Sequence, residues 1–419
     1  MLTEYYNRVN SQYYKALNQK NHHYKIKLEL LTNYETAIGE IVKDVGSTAD
    51  GQININYQQL VRRSCSLHLI NVDNKYAPDT NNGFWFHRKF KLWIGVATRE
   101  EIFWFSQGIY VTKDASGDVY SINIEGIDKG GLINGDMKRN MLTAKYVIEV
   151  GSNIAQLIKD TLAMNITAVM GFDSNDTAVI GNTGEVLDNI APLIDKKYFL
   201  TTTQNEISVD SCAYLGDLFI ALGEGYNADV YYDTEGHFRF SEIVDANSPN
   251  GYVYMHHDWE FSDDTIWLSN FNMSYQLDGI NVVTVYTNTS DSTLKNVSYT
   301  AYNNNPMSPL RTKFAGIRRL EPVEISYINV SEDEMLSRCK QYANYLLLKQ
   351  SMIGLSASFQ CPILPHLDVN RTIGITSKAH NLDSDTFVVQ SITIPLSSDP
   401  MSVTATNVNW LPSDMNAER

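Results

Sequence analysis

Residues 90–132 read FKLWIGVATREEIFWFSQGIYVTKDASGDVYSINIEGIDKGGL and carry the strongest fold signal in the chain. Apolar side chains recur there at every second position, which is typical of strands with one buried face. They are Phe90, Leu92, Ile94, Val96, Ile122 and Ile124. The stretch Ala115-Ser116-Gly117-Asp118 predicts a hairpin turn, because glycine adopts the positive φ that such turns require. We therefore expect three or four consecutive strands that end at a Gly-Ile-Asp turn.

The same period of two continues on both sides of this segment. It predicts strands near residues 26–30, 53–57, 65–69, 354–361, 372–376, 386–396 and 401–408. A further strand is expected at 279–287, where Val282, Val283 and Val285 make both faces apolar, as in a strand covered on two sides. A mainly β fold with α+β insertions follows. We expect two tube-like β-barrel domains plus smaller inserted domains.

Three helices are predicted between the β-rich parts. Ser152 and Ser211 are candidate N-caps of the first two, and Gly223 with Gly225 is expected to end the second. A capping box at residues 331–334 begins the third helix, which has the clearest helical pattern in the chain.

These patterns predict several domains, since 419 residues exceed what one hydrophobic core usually supports. The expected parts are a helical arm at 1–24, a first barrel at 25–137, an α+β insertion at 138–262, a second barrel at 263–305 and 354–412, and a segment with the capped helix at 306–353. The arm has one apolar helical face, so it either packs on its own domain or reaches a neighbouring subunit.

The composition narrows the classes of function. The chain has 33 Lys and Arg against 48 Asp and Glu, so its net charge is −15. That charge disfavours tight nucleic-acid binding, although like charges could let DNA pass without adhering. The four cysteines lack metal-ligand spacing and are expected to be reduced core thiols. No leader-like or membrane-length apolar run occurs, so we expect synthesis in the cytosol and no membrane insertion.

Catalytic motifs such as HExxH, GxSxG and GxxxxGK[ST] do not occur in the sequence. His22-His23 and His256-His257-Asp258 could bind a metal, but adjacent strand residues face opposite sides and no third ligand is suitably spaced. Residues 173–176 lack the glycine and glutamate of a calcium loop. We expect no catalytic, cofactor-binding or metal-binding residues. Paired carboxylates such as Asp263 and Asp264 occur in acidic loops, and the two acids of a glycosidase could lie at unrelated positions.

Several motifs resemble those of the baseplate hub proteins of bacteriophage tails. QININYQQLVRRSCSLHL at 52–69, FKLWIGV at 90–96 and FSQGIYVTKDASGDVYSINIEGIDKGGLIN at 105–134 look like the first tube-type barrel of that family. The capped helix at 331–349, LDVNRTIGI at 367–375 and FVVQSITIPLSSDPMSVTATNV at 387–408 are similar to its C-terminal part. The resemblance covers roughly residues 25–410, and residues 171–206 match no part of it.

The resemblance implies a structural protein without enzymatic activity. Such hubs form a homotrimer whose six barrels connect a sixfold tail tube, or a distal tail protein, to a threefold central spike or tail lysin. The resemblance also implies that baseplate wedge proteins are partners and that genomic DNA passes through without tight binding. It further implies synthesis in the host cytoplasm and a final location in the tail baseplate of the virion. The alternatives are a receptor- or carbohydrate-binding tail protein and a tail-associated peptidoglycan hydrolase.

Seven residues are candidates for subunit interfaces. They are Arg62, Arg63, Trp85, Trp93, Trp104, Arg318 and Arg319. Arginine pairs can bind carboxylates of a neighbour with two parallel hydrogen bonds, and aromatic residues are enriched in contact patches. Solvated arginines and aromatic core packing are the alternatives for the same residues.

Overall fold

The computed structural model describes most of the chain. Described are Tyr13, Leu17 and residues 23–32, 35–57, 59–72, 88–118, 120–137, 146–163, 169–172, 178–180, 191–203, 207–209, 213–226, 228–242, 257–265, 268–275, 279–287, 295–306, 308, 310–325, 331–351, 355–397 and 399–407. Within them, the fold is mainly β with α+β insertions, as predicted.

The first β unit is an antiparallel sheet built by the N-terminal third of the chain. Its strands are β1 (His23–Leu31), β2 (Ala37–Asp44), β3 (Ala49–Asn56), β4 (Arg63–Ile70), β5 (Lys89–Ala97), β6 (Ile102–Gly117) and β7 (Ser121–Asp128). They lie in the order β3-β4-β7-β6-β5-β1-β2. The turn after β6 lies at Asp118, whose carboxylate accepts hydrogen bonds from the N–H groups of Tyr120 and Ser121. A short 3-10 helix, Lys129–Leu132, follows β7.

The middle unit combines short strands with two helices. Its elements are β8 (Tyr146–Ile148), α1 (Ile154–Ala163), β9 (Val169–Phe172), β10 (Ala178–Ile180), β11 (Leu193–Ile194), a 3-10 helix (Lys196–Phe199), β12 (Ile207–Val209), α2 (Leu215–Tyr226), β13 (Ala228–Tyr232) and β14 (Phe238–Glu242). The β13–β14 hairpin forms around a turn at residues 233–236, where the Asp233 carboxylate accepts from two backbone N–H groups.

The helix-backed unit is a three-stranded sheet covered by the longest helix. After β15 (Trp259–Ser262) and β16 (Ser269–Tyr275), the chain forms β17 (Val282–Thr287), β18 (Ser298–Tyr302), α3 (Thr312–Ala315), β19 (Val323–Ile325) and α4 (Glu332–Ser351). Strand β17 pairs with β18 and β19, and its Val283 and Val285 pack in one cluster with Cys339, Ala343 and Leu347 of α4.

Strand β17 was predicted to belong to the second barrel, and this is wrong. Its consecutive valines indicated that both faces are apolar, but they could not indicate which element covers each face. Helix α4 covers one face, so residues 279–305 and the capped helix form one small unit together.

The second β unit follows α4 and also includes two strands from before it. It contains β20 (Leu355–Cys361), β21 (Thr372–Ser377), a 3-10 helix (Lys378–His380), β22 (Leu382–Pro395) and β23 (Met401–Asn407). Strand β16 pairs with β20, and β15 runs parallel to β21. Residues 257–262, predicted as part of the middle insertion, therefore belong to this unit.

The two β units are joined in one sheet of 13 described strands. The joining strand is β22, whose 14 residues are enough to serve both units. Residues 382–388 pair with β21, whereas residues 391–395 pair with β3, from Ser391 opposite Asn56 to Pro395 opposite Gln52. One continuous core lies beneath both units, and it includes Ile53 and Ile55 of the first together with Ile392 and Ile394 of the second. The two predicted barrels are therefore not separate sheets.

Helix boundaries differ from the predictions in two places. Asn153, not Ser152, caps α1, since its side-chain oxygen accepts a hydrogen bond from the N–H of Gln156 at 2.9 Å. Helix α2 continues through Gly223. The glycine allows the helix to pack closely on β13, because a Cβ at this position would lie 2.9 Å from the carbonyl oxygen of Ala228. Ser211 lies outside the described residues.

Three of the four cysteines, Cys65, Cys339 and Cys361, are free and buried, as predicted, and Cys212 lies outside the described residues. Among the described helices, none combines the length and the hydropathy that a membrane crossing requires.

Candidate functional site

A cluster of buried charges lies where the first β unit, the middle unit and the second β unit meet. We call it the junction and define it by Arg62, Arg63, Asp128, Asp229 and Asp368. Arg62 and Arg63 are only 3% and 2% exposed. Buried charges require paired partners, so the contacts of these side chains decide what the junction does.

Asp128 fixes the backbone at the centre of the junction. One carboxylate oxygen accepts hydrogen bonds from the N–H groups of Arg62 at 2.7 Å and Arg63 at 2.9 Å. The other accepts from the N–H of Gly130 at 2.9 Å. Burial raises the pKa of Asp128 to about 6, against the opposing effect of these donors and of the Arg63 charge. The Gly-Ile-Asp turn thus ties the end of β7 to the start of β4.

Arg62 connects the first β unit to the middle unit. Its guanidinium donates to both carboxylate oxygens of Asp229, in β13, at 2.5 Å. The guanidinium carbon lies 3.5 Å from the ring centre of Tyr231 and 5.0 Å from that of Tyr57. This charged and cation–π contact holds β13 against the start of β4.

Arg63 connects the first β unit to the second. Its guanidinium donates to both carboxylate oxygens of Asp368, in the β20–β21 connection, at 2.6 Å. Burial alone would raise the pKa of Asp368. The charge and the hydrogen bonds of Arg63 have the larger effect and hold the pKa of that carboxyl below its usual range. Gly108 makes room for the arginine, because it has a φ of +123° and a Cβ there would lie 3.1 Å from Arg63 Cδ.

The prediction that Arg62 and Arg63 contact another subunit is therefore wrong. Both side chains are buried inside the chain, and their partners lie 167 and 305 residues away in sequence. The sequence identified the residues but contains no local signal for such distant partners.

A second buried ion cluster lies next to the junction. Glu35 Oε1 is 2.6 Å from Lys89 Nζ and 2.9 Å from Lys129 Nζ, and all three side chains are at most 6% exposed. Burial alone would raise the pKa of Glu35, but the two lysines lower it. Lys129 also donates to the carbonyl oxygen of Gly236 at 2.9 Å. The lysine therefore anchors the β13–β14 turn of the middle unit.

Two surface contacts extend this attachment. Lys91 Nζ lies 2.6 Å from a carboxylate oxygen of Glu235, and Ser106 Oγ donates to the carbonyl oxygen of Thr234 at 2.5 Å. Together with Lys129, these residues hold the β13–β14 turn against the first β unit at three points.

The N-terminal arm is represented by two described residues, and both pack on their own chain. Tyr13 and Leu17 are helical and lie in the shared core. The Tyr13 hydroxyl is 2.5 Å from His366 Nδ1. Burial lowers the pKa of His366 to about 3, so the imidazole is neutral at physiological pH. Of the two alternatives for the arm, packing on its own chain holds for these residues.

Trp93 and Trp104 lie half-buried on the outer face of β5 and β6. Lys27 Nζ is 4.7 Å from the Trp93 ring centre and 5.4 Å from that of Trp104, and Lys91 Nζ is 4.5 Å from Trp93. Lysines thus cover both rings, which leaves them poorly suited as open platforms for sugar stacking. Trp85 lies outside the described residues.

Arg318 and Arg319 lie at the surface of the helix-backed unit, far from the junction in sequence. Arg319 is exposed and Arg318 is half-buried. The backbone N–H of Arg318 donates to the side-chain oxygen of Asn281 at 2.7 Å. Among the described residues, neither of these two side chains has an ion-pair partner.

The candidate chemical sites show structural contacts instead. His257 bonds to Glu260 and, through Nε2 at 2.8 Å, to Thr386. The acidic residues at 263–264 bind the backbone and the side chain of Lys378. Within the described part of the chain, no three His, Cys, Asp or Glu residues are placed to hold a metal ion. His22, His256 and residues 173–176 fall outside that part.

The arrangement of strands recurs in solved structures of tail proteins. A tail protein from Neisseria meningitidis MC58 is similar with a TM-score of 0.56 at 10% identity, over 94% of this chain and 99% of that one. The 43 kDa tail protein of prophage MuSo2 from Shewanella oneidensis has a TM-score of 0.51 at 10% identity, over 94% and 100%. This chain has the fold of phage tail proteins.

The fold is also found in a larger assembly. A chain of the Francisella PdpA-VgrG complex in its half-lidded form has a TM-score of 0.52 at 9% identity, with 96% of this chain matching 61% of that chain. No family model and no curated protein matches the sequence. The likeness therefore rests on the arrangement of the elements, and at this identity it establishes the fold.

Proposed function

We propose that this chain is the structural hub of a bacteriophage tail baseplate. Three copies would form a ring between the tail tube, or a distal tail protein, and a central spike or tail lysin. The proposal is carried by a tail-protein fold that extends over 94% of the chain and joins two β units in one sheet. Two β units per chain become six in a trimer, so one ring could match sixfold and threefold partners.

The junction supports this role because an adaptor must keep its units in fixed positions. Arg62 and Arg63 lie at the start of β4, and each holds another unit through an ion pair in which Nη2 contacts both carboxylate oxygens. Both arginines are therefore neutralised by carboxylates of the same chain. The hub would act by assembly, without catalysing a reaction.

The remaining partners follow from the same proposal. One of the similar structures is a complex containing VgrG, which supports a spike-like neighbour for this chain. Baseplate wedge proteins would surround the ring in the virion, after synthesis in the host cytoplasm. A net charge of −15 would let genomic DNA pass through the ring without tight binding.

The oligomeric state tests the proposal directly. The chain should be purified alone and after co-expression with its tail tube protein, then studied by sedimentation velocity and negative-stain imaging. We expect a threefold ring with a central channel. A chain that stays monomeric under both conditions contradicts the hub.

Two activity measurements separate the alternatives. Binding to a glycan array that is lost in Trp93→Ala and Trp104→Ala would favour a receptor-binding protein. Release of soluble fragments from purified cell walls would favour a hydrolase. The hub predicts neither result.

A further inference from the structure

The surface of the helix-backed unit contains a positively charged loop in an acidic protein. Residues 311–320, RTKFAGIRRL, include four Lys or Arg and no Asp or Glu, whereas the whole chain has a net charge of −15. We call these residues the basic loop. Its composition marks it as a distinct surface for an acidic partner.

Two large apolar side chains project from the basic loop. Phe314 is 73% exposed and Ile317 is 61% exposed. Lys313, Arg318 and Arg319 form no ion pair with any residue that the structure describes. Exposed apolar groups beside unpaired cations are typical of a contact patch.

The backbone of the basic loop is held in place. The buried side chain of Asn281 donates to the carbonyl oxygens of Leu310 at 2.9 Å and Gly316 at 2.6 Å, and it accepts from the N–H of Arg318 at 2.7 Å. Gly316, with a φ of +72°, ends the single turn of α3. The two apolar side chains are therefore presented by a fixed backbone, which lowers the entropic cost of binding.

A complementary patch lies at the start of α4. Glu332 and Asp333 are exposed and, among the described residues, form no ion pair. Leu336 lies four residues after Glu332 and three after Asp333, so it is on the same helical face, and it is 42% exposed. We call these three residues the acidic turn. Glu334 differs from them because it pairs with Arg338.

We propose that the basic loop of one subunit docks on the acidic turn of the next subunit. This inference rests on the proposed hub and names one contact that would close its ring. A threefold ring needs two different, complementary patches on each chain, because its contacts are head-to-tail. The basic loop and the acidic turn provide opposite charges, and each adds exposed apolar surface to the contact.

A charge-reversal series tests the contact. Arg318→Glu with Arg319→Glu should weaken self-association by at least about tenfold, since like charges would face each other. Glu332→Arg with Asp333→Arg should have the same effect. The chain with all four changes should associate like the original protein. Sedimentation velocity over a concentration series measures each case, and circular dichroism checks the fold.

A matched control reverses two exposed charges on the first β unit. Arg99→Glu with Lys113→Glu should leave association unchanged. The docking contact is wrong if the variant with Arg318→Glu and Arg319→Glu still forms rings. It is also wrong if the chain with all four substitutions folds but does not recover association. In either case the hub proposal stands. If the original chain forms no ring even with its tube protein, both proposals fail.

Anionic vesicles distinguish a different occupant. Cosedimentation with phosphatidylglycerol vesicles that is abolished by the loop variant, with unchanged rings, would assign the basic loop to a membrane surface and overturn the subunit contact. If the loop contacts another subunit, the original chain and the variant with Arg318→Glu and Arg319→Glu should bind the vesicles equally.

Discussion

The chain contains two arginine pairs that look alike in sequence and lie in opposite environments. Arg62 and Arg63 are buried and hold three units together through Asp229 and Asp368. Arg318 and Arg319 lie at the surface, where the described residues include no carboxylate paired with them. The same dipeptide thus serves as an internal clamp in one place and as a candidate docking surface in the other.

Removing Arg63 should have the largest effect on stability. Arg63→Ala removes the guanidinium that is hydrogen-bonded to the Asp368 carboxylate, and breaking such a pair costs about 3 to 5 kcal/mol when both partners are buried. Because the Asp368 side chain is 23% exposed, we expect the lower end of this range. Urea denaturation followed by tryptophan fluorescence measures the change. A loss below about 1 kcal/mol, typical of surface pairs, would contradict the clamp.

The pH dependence of stability should reveal Asp128. Its pKa is raised in the folded protein to about 6, so its contribution to stability is fully present below the unfolded pKa near 3.8 and is lost as the pH rises through 6. Asp128→Asn avoids this loss. From pH 4 to pH 7, the stability of the variant relative to the original should therefore increase, by up to about 3 kcal/mol.

Parallel urea titrations of the two proteins at several pH values measure that difference. Glu35 and Asp368, whose pKa values are lowered, contribute in the opposite direction in both proteins and cancel in the comparison. A relative stability that decreases with rising pH would show that the carboxylate is more stable charged than neutral at this site.

Removing Asp229 should loosen one unit more than the whole molecule. Asp229→Ala deprives Arg62 of its carboxylate but leaves the rings of Tyr57 and Tyr231, so we expect a loss of about 2 kcal/mol. Hydrogen exchange should accelerate in β13 and β14 more than in β4. Equal acceleration in all three strands would mean that Arg62 does not act as a local clamp.

Removing Arg319 should have the smallest effect on the fold. Arg319→Ala changes an exposed side chain, so the free energy of unfolding of the monomer should change by less than about 0.5 kcal/mol. The same urea assay provides the measurement. A loss comparable to that of Arg63→Ala would remove the distinction between the two arginine pairs.

Sequence periodicity predicted the strands well because alternation reflects one buried face, a property of each strand by itself. Strands β5, β7, β20 and β23 lie where the alternation places them. Which strands pair with each other could not be predicted in this way, since strand pairing depends on residues far away in the chain. The pairing of β22 with β3 joins residues more than 300 positions apart, and no local pattern encodes it.

The errors have the same physical origin. Both apolar faces of β17 were recognised, but the covering element was not. Gly223 was expected to end α2, whereas it permits a close contact with β13. The arginines of the junction were recognised as a pair of charges, but their burial depends on Asp229 and Asp368. In each case the residue was identified and its neighbour was missed.

Strand β22 gives the molecule a mechanical property. Because this strand is hydrogen-bonded into both β units, a force on one unit reaches the other as shear along the backbone pairs from Ser391 to Pro395. No flexible linker lies in that path to absorb the displacement. Tension along the sheet is therefore shared among the backbone hydrogen bonds of these five residue pairs instead of falling on one covalent connection.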